Sequence, residues 1–251
     1  MVSPTAYSSA LEQNNPEESQ PPQTTNRYQL SRNQASVYHS SIGKKLLTGV
    51  TGIGLVMFVT AHMLGNLTLL YSAAAYNRLA NFIDSCGPLL YAVEGLLLGL
   101  VCVHEAMGFI IYLAKKQARQ VSYDRYESAG EPSRQTLSSR TMIFSGMVLG
   151  LFLVSHLITF KFGTVYTLPG SDHRDLARLV LETFRSPVYA AGYVVVLSGL
   201  GLHLRHGVWS ALQSLGVATK PGVFAASAVF GGAIALGFIG LPLAIYFGLV
   251  E

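Results

Sequence analysis

Charge is scarce in this chain of 251 residues: Asp, Glu, Lys and Arg together make up 12% of it, against about 25% in soluble domains. Hydrophobic residues make up 50%. So few charges cannot cover the surface of an ordinary globular domain, so a soluble protein is disfavoured. Cysteine is also rare, and the two that are present, Cys86 and Cys102, exclude a disulfide framework.

The small charge that is present is biased towards basic residues, with a net charge of +4. A basic excess can indicate nucleic-acid binding, but these residues are scattered between long apolar runs. Such scattering is typical of the cytoplasmic edge of a membrane protein. We therefore expect a lipid bilayer as a partner and no nucleic acid.

Five apolar stretches are each long enough to cross a hydrocarbon core, which requires about 20 residues of helix. They cover residues 46–71, 89–114, 141–160, 188–212 and 223–250. The fold class predicted is an all-α integral membrane protein, with residues 41–251 as its transmembrane domain. Residues 1–40 form a polar tail without a secretory signal, predicted to be disordered or to lie along a partner.

The distribution of Lys and Arg over the connections predicts the orientation, because cytoplasmic loops accumulate positive charge. One side carries twelve: Arg27, Arg32, Lys44, Lys45, Lys115, Lys116, Arg119, Arg125, Arg134, Arg140, Arg205 and Lys220. The other side carries five: Arg78, Lys161, Arg174, Arg178 and Arg185. We expect a multi-pass protein of the inner (cytoplasmic) cell membrane, with its N-terminus cytoplasmic and its C-terminus outside. The polar loop from Lys115 to Arg140 would then be a docking surface for a soluble partner.

The first two spans resemble the next two, which suggests a duplicated helical hairpin. Each outer connection contains an amphipathic stretch of the kind that lies in a membrane interface. Each stretch is followed by a proline, Pro88 or Pro187, suited to the first turn of the next helix. The fifth span has no counterpart. It is expected to pack outside an up-down bundle formed by the other four.

Each of the first four spans contains a candidate histidine, namely His62, His104, His156 and His203. Ionisable side chains are costly in hydrocarbon and are functional candidates there, although a single one often serves only as an interhelical hydrogen-bonding group. His62 and His156 lie 17 and 16 residues beyond Lys45 and Arg140, so both are roughly 25 Å from the inner face.

His104 and His203 each lie 16 residues beyond the proline that opens their span, roughly 24 Å from the outer face. The two depths define two layers. Because alternate helices of an up-down bundle are diagonal, each layer presents two imidazoles that face each other across the axis.

Two opposed imidazoles are too few ligands for zinc, whereas a haem supplies four nitrogens and requires two axial groups. Glycines in the four spans would give a macrocycle room, although alone they would indicate only close helix packing. These are Gly49, Gly52, Gly95, Gly99, Gly146, Gly150, Gly199 and Gly201. The bundle is thus predicted to bind two haems with both axial positions filled, which favours electron transfer over catalysis at the iron.

The other polar residues near the spans are less specific. His206 competes with His203 as a ligand but misses the matching depth by three residues, about 4.5 Å. Arg205 and His206 are instead candidates to bind haem propionates. His39 and His173 are expected to be solvated.

The residues as an ordered set resemble the dihaem cytochrome b anchor of succinate:quinone oxidoreductases (succinate dehydrogenase or fumarate reductase), in the type that has one five-helix chain. The matching segments extend over residues 40–220. They are Ser41-Ile42-Gly43-Lys44-Lys45, His62-Met63-Leu64-Gly65-Asn66-Leu67, His104-Glu105, Ser145-Gly146, His156-Leu157, and His203 with Gly207 and Trp209.

The resemblance implies two haems b, with His62 and His156 as axial ligands of the one distal from the soluble subunits and His104 and His203 of the proximal one. It also implies partners on the cytoplasmic side, an FAD-containing flavoprotein and an iron–sulfur subunit, and a membrane quinone, for which menaquinone is the expected type. This chain would not itself act on succinate. Some relatives use an acidic residue near the distal haem to exchange protons with quinone, and Asp84 is the candidate for that site here. The simpler alternative is that Asp84 is solvated or caps a helix.

Two further interpretations stay open. One is the cytochrome b anchor of a formate dehydrogenase or hydrogenase, which co-purifying subunits would reveal. The other is a proton-coupled transporter with histidine relays, which would be expected to have more acidic residues within the spans than Glu94 and Glu105.

Overall fold

The computed structural model describes residues 40–118, 136–217 and 222–250. Their helices, in chain order, are α1 (Ser41–Tyr71), α2 (Ala73–Ser85), α3 (Pro88–Gln117), α4 (Leu137–Arg140), α5 (Met142–His156), a π-helix (Leu157–Lys161), α6 (Leu176–Phe184), α7 (Pro187–Ser214) and α8 (Gly222–Tyr246). Five of these segments are long and apolar enough to cross a membrane: α1, α3, α5 with the π-helix, α7 and α8. The prediction of an all-α, multi-pass membrane protein is confirmed.

The helix boundaries differ slightly from the predicted ones. α1 begins at Ser41, five residues early, because the Ser40 hydroxyl caps it by accepting a hydrogen bond from the Gly43 amide at 3.0 Å. α8 ends at Tyr246 rather than at residue 250, and Gly248 follows with a φ of 70°. Pro88 and Pro187 open α3 and α7 as predicted.

Some sequence predictions concern residues outside those that the structure describes. They include the polar tail, a solvated His39, and most of the loop between Lys115 and Arg140. These stay predictions.

The first four spans form a ring of neighbours. α1 packs against α3 and α7, and α5 packs against the same two helices. α1 and α5 are therefore diagonal, as are α3 and α7, which is the up-down arrangement that the sequence predicts.

The fifth span, α8, packs against α7 and α1 on the outside of the ring. Small residues allow a close approach here: a Cβ atom on Gly231 would lie 2.9 Å from both the backbone nitrogen of Arg205 and the carbonyl oxygen of Gly201. Contacts of this kind hold membrane helices together through backbone-to-backbone packing. The expected position of the fifth span is thus confirmed.

The two amphipathic helices α2 and α6 pack against each other at one end of the bundle. The sequence predicts amphipathic stretches of the kind that lies in the membrane interface and makes no prediction of this contact. The Asn77 side chain joins them: its Nδ2 donates to the Asp175 carboxylate at 2.7 Å, and its Oδ1 accepts from the Ala177 backbone amide at 2.8 Å. Around it is a buried core that consists of Leu69, Tyr76, Ala177, Val180, Phe184, Leu241 and Ile245. We call this assembly of α2, α6 and their connections the cap.

Candidate functional site

One cavity of about 2390 Å³ runs through the ring of four helices. At one end its wall includes Lys45, Lys115, Lys116 and Arg140, and we call this the basic end. At the other end, the capped end, the wall reaches the cap. Protein interiors are otherwise close-packed, so a cavity of this size leaves room for a large group between the helices.

All four span histidines line this cavity. His62 and His156 meet across the axis near the cap, with ring centroids 5.8 Å apart and ring planes at 88°. His104 and His203 meet nearer the basic end, with centroids 6.4 Å apart and planes at 66°. We call these the capped-end pair and the basic-end pair. The structure brings together the same residues that the depth comparison pairs.

The separations of the rings suit a metal ion between them. A metal–imidazole bond is about 2 Å long, so two imidazoles on opposite sides of one ion have nitrogens about 4 Å apart and centroids about 6 Å apart. Both pairs are close to this distance. Across the described ranges, no cluster of three or more His, Cys, Asp or Glu side chains could hold a metal ion. The donor sets consist of two nitrogens each, which fits an ion whose other ligands come from a macrocycle.

Hydroxyl groups of neighbouring spans contact the basic-end pair. Nδ1 of His203 lies 2.9 Å from Oγ of Ser145. Nδ1 of His104 lies 3.3 Å from Oγ1 of Thr51 and 3.2 Å from the carbonyl oxygen of Thr48. In both histidines these contacts occupy Nδ1, and Nε2 is the nitrogen left for a ligand bond.

Aromatic rings surround the capped-end pair. Nδ1 of His156 lies 3.1 Å from the Tyr193 hydroxyl. The His156 ring also packs against Phe152 and Phe160, at 5.8 and 5.2 Å between centroids. His62 stacks on Phe58 at 5.4 Å. This pair is therefore held chiefly by packing.

Glycines face the basic-end pair. A Cβ atom on Gly52 would lie 3.0 Å from Cε1 of His104, and one on Gly146 would lie 3.6 Å from Cε1 of His203. Gly150 similarly faces the carboxylate of Glu105, 3.6 Å away. The absence of side chains at these positions makes room for the imidazoles at this depth.

The other predicted residues divide between the cavity and the surface. His206 lines the cavity near the basic end, and its buried Nδ1 has no hydrogen-bond partner among the described residues. Arg205 instead lies against the fifth span, with its guanidinium carbon 5.3 Å from the Phe224 ring centroid. Asp84 is exposed and borders the cavity at the capped end. His173 is exposed, as expected.

Several polar contacts were not predicted. Lys161, at the end of the π-helix, forms an ion pair with Glu94 of α3, and both line the cavity. The partners of the histidines, Ser145, Thr51 and Tyr193, were not recognised either. A signal for two of them exists: Thr51 and Ser145 lie six and five residues beyond Lys45 and Arg140, about the depth of the basic-end pair.

No protein-family model matches the chain, and the search of curated proteins and that of solved structures also find no match. Function is therefore inferred from the residues and their geometry.

Proposed function

We propose that this chain is the membrane anchor and electron-transfer subunit of a succinate dehydrogenase or fumarate reductase complex. In this proposal it binds two haems b, one between His62 and His156 and one between His104 and His203. The observation that carries the proposal is the presence of two opposed histidine pairs in one cavity, each with the ring separation that an axially ligated metal requires.

Each haem would supply an iron that accepts and releases single electrons. With two histidines as ligands, each haem would keep no coordination site for oxygen or substrate, so the chain's role would be electron transfer. The depths of the layers in the sequence correspond to a separation of roughly 15–20 Å along the membrane normal. Electrons could therefore pass from one end of the bundle towards the other.

The charge distribution supports an orientation with the basic end on the cytoplasmic side and the C-terminus outside. Lys45, Lys115, Lys116 and Arg140 line the cavity at this end, as cytoplasmic loops of membrane proteins are enriched in Lys and Arg. The iron–sulfur subunit would dock here and carry electrons from or to the flavoprotein. Of the two propionate candidates, His206 has the more suitable position because it lines the cavity.

A membrane quinone, with menaquinone as the expected type, would exchange electrons with this relay. Asp84 borders the cavity at the capped end, which keeps it a candidate for contact with the quinone. Its exposure equally suits a solvated carboxylate.

Purification of the native complex through a tag on this chain tests the proposed partners. We expect an FAD-containing subunit and an iron–sulfur subunit to co-purify, and succinate to reduce the b haems in the complex. A molybdenum- or nickel-containing partner would instead identify a formate dehydrogenase or hydrogenase anchor. A haem-free chain that moves protons without partners would indicate a transporter.

A further inference from the structure

We propose that Ser145 and Thr51 are positioning residues that lower the reduction potential of the haem at the basic-end pair. They would do so by accepting hydrogen bonds from the ligand imidazoles. This inference rests on the proposed function, because it concerns the group that His104 and His203 would bind.

The direction of the Ser145 hydrogen bond follows from the other contact of the same hydroxyl. Oγ of Ser145 donates its proton to the Met142 carbonyl oxygen at 3.1 Å. The 2.9 Å contact with Nδ1 of His203 must then use a lone pair of Oγ, so that His203 is the donor. The proton of His203 is thereby held on Nδ1, and Nε2 presents a lone pair.

Thr51 acts in the same way on His104. Its hydroxyl donates to the Leu47 carbonyl oxygen at 2.8 Å. Oγ1 of Thr51 therefore accepts the hydrogen bond from Nδ1 of His104. Thr51 is only 4% exposed, so bulk water does not compete with its hydroxyl for the hydrogen bond from His104. The carbonyl of Thr48 is a second acceptor for the same Nδ1, at 3.2 Å.

An imidazole that donates its Nδ1–H has more electron density on Nε2, which makes it a stronger ligand for the oxidised metal. Removal of the acceptor therefore favours the reduced metal and raises the potential. The effect should be larger for Ser145, since His104 keeps the Thr48 carbonyl when Thr51 is replaced. At the capped end, a His156 that binds through Nε2 would donate its Nδ1–H to the Tyr193 hydroxyl, 3.1 Å away, so Tyr193 would act on the other haem and not on this one.

The experiment is a redox titration of the purified full-length chain, with each haem followed by its absorbance. Ser145→Ala and Thr51→Val remove the acceptors. Ser198→Ala is the matched control, because the Ser198 hydroxyl likewise donates to its own helix, at Val194, but is exposed. For Ser145→Ala we expect the reduced-to-oxidised ratio of one haem to rise up to tenfold at a fixed ambient potential, an upward shift of up to about 59 mV.

Thr51→Val should shift the same haem in the same direction by less, and Ser198→Ala should shift neither haem. An unchanged potential in Ser145→Ala would overturn the inference. If Ser145→Ala loses the haem, Ser145→Thr must restore it with the wild-type potential; a threonine variant that stays haem-free would show that the serine only fills space. Absence of haem from the unmodified folded chain would refute the proposed function instead.

Discussion

The two histidine pairs have the same composition but are positioned by different means. Ser145 and Thr51, small hydroxyl residues on neighbouring spans, contact the basic-end pair. The capped-end pair is enclosed by aromatic rings, with Tyr193 as its hydrogen-bonding contact. One pair is thus oriented by polar contacts and the other mainly by packing.

The wider surroundings of the two pairs also differ. Four basic side chains line the cavity near one pair, whereas near the other the cap packs across the bundle and the lining Lys161 is paired with Glu94. In the cap, burial raises the pKa of Tyr76 to about 12. Similar ligands in unlike surroundings would give two redox groups with separately adjustable properties.

Replacement of a single histidine should break one pair and spare the other, and this is the largest effect we expect. His156→Ala should remove the capped-end haem and His203→Ala the basic-end haem, since a haem with one protein ligand loses its low-spin state and binds weakly. Haem content per polypeptide and low-temperature absorbance spectra measure this. If His62→Ala and His104→Ala remove the same haem, the pairing is wrong.

A side chain at Gly52 should disturb only the basic-end pair. Its Cβ would lie 3.0 Å from His104, so that Gly52→Val displaces the ring, and we expect loss of one haem with the other retained. Gly199→Val is the control, because Gly199, although one of the glycines expected to make room for a haem, is not among the residues that line the cavity, and a Cβ atom there meets nothing within 4 Å. Retention of both haems in Gly52→Val would contradict this explanation of the glycine.

Disruption of the cap should lower stability before it affects either pair. Asn77→Ala leaves the buried Ala177 amide without its partner, and a buried unsatisfied group costs about 1–3 kcal/mol. Asp175 loses its bond from Asn77 but keeps its hydrogen bond from the Arg178 amide. Thermal unfolding of the detergent-solubilised protein should shift to lower temperature, while the haem spectrum stays unchanged. Ser85→Ala, at an exposed hydroxyl of the same helix, is the control. An unchanged unfolding temperature would show that this network does not stabilise the cap.

The smallest effect is expected for Tyr193→Phe. Phenylalanine keeps the ring contacts with Phe152 and Phe184, at 4.9 and 4.8 Å between centroids, and loses only the hydroxyl. If packing holds this pair, the capped-end haem stays bound with nearly wild-type absorbance. Loss of this haem would show that the capped-end pair also depends on a polar contact, which contradicts the proposed difference between the two ends.

The sequence predicts the spans well, because length and apolar composition suffice to identify helices that cross a membrane. It also pairs the four histidines, because the number of helical residues between a histidine and the membrane edge gives its depth. Lys45, Arg140, Pro88 and Pro187 mark those edges. The contact between α2 and α6 was missed: amphipathicity shows that a helix has an apolar face but does not identify what covers it.

The partners of the histidines were harder to predict for a related reason. Whether Ser145 contacts His203 depends on the rotation of α5 and α7 about their axes, which depth does not specify. The π-helix after His156 also changes the direction in which the following side chains point, and Lys161 at its end pairs with Glu94. Such local irregularity leaves no clear pattern in a uniformly apolar span.

The measurement that tests the account most directly is the haem content of the purified, folded chain, with reduced-minus-oxidised spectra. We predict two equivalents of low-spin b haem per polypeptide, each lost separately when its own histidine pair is changed. A folded chain that binds no haem, or one haem that depends on all four histidines, would contradict the proposal.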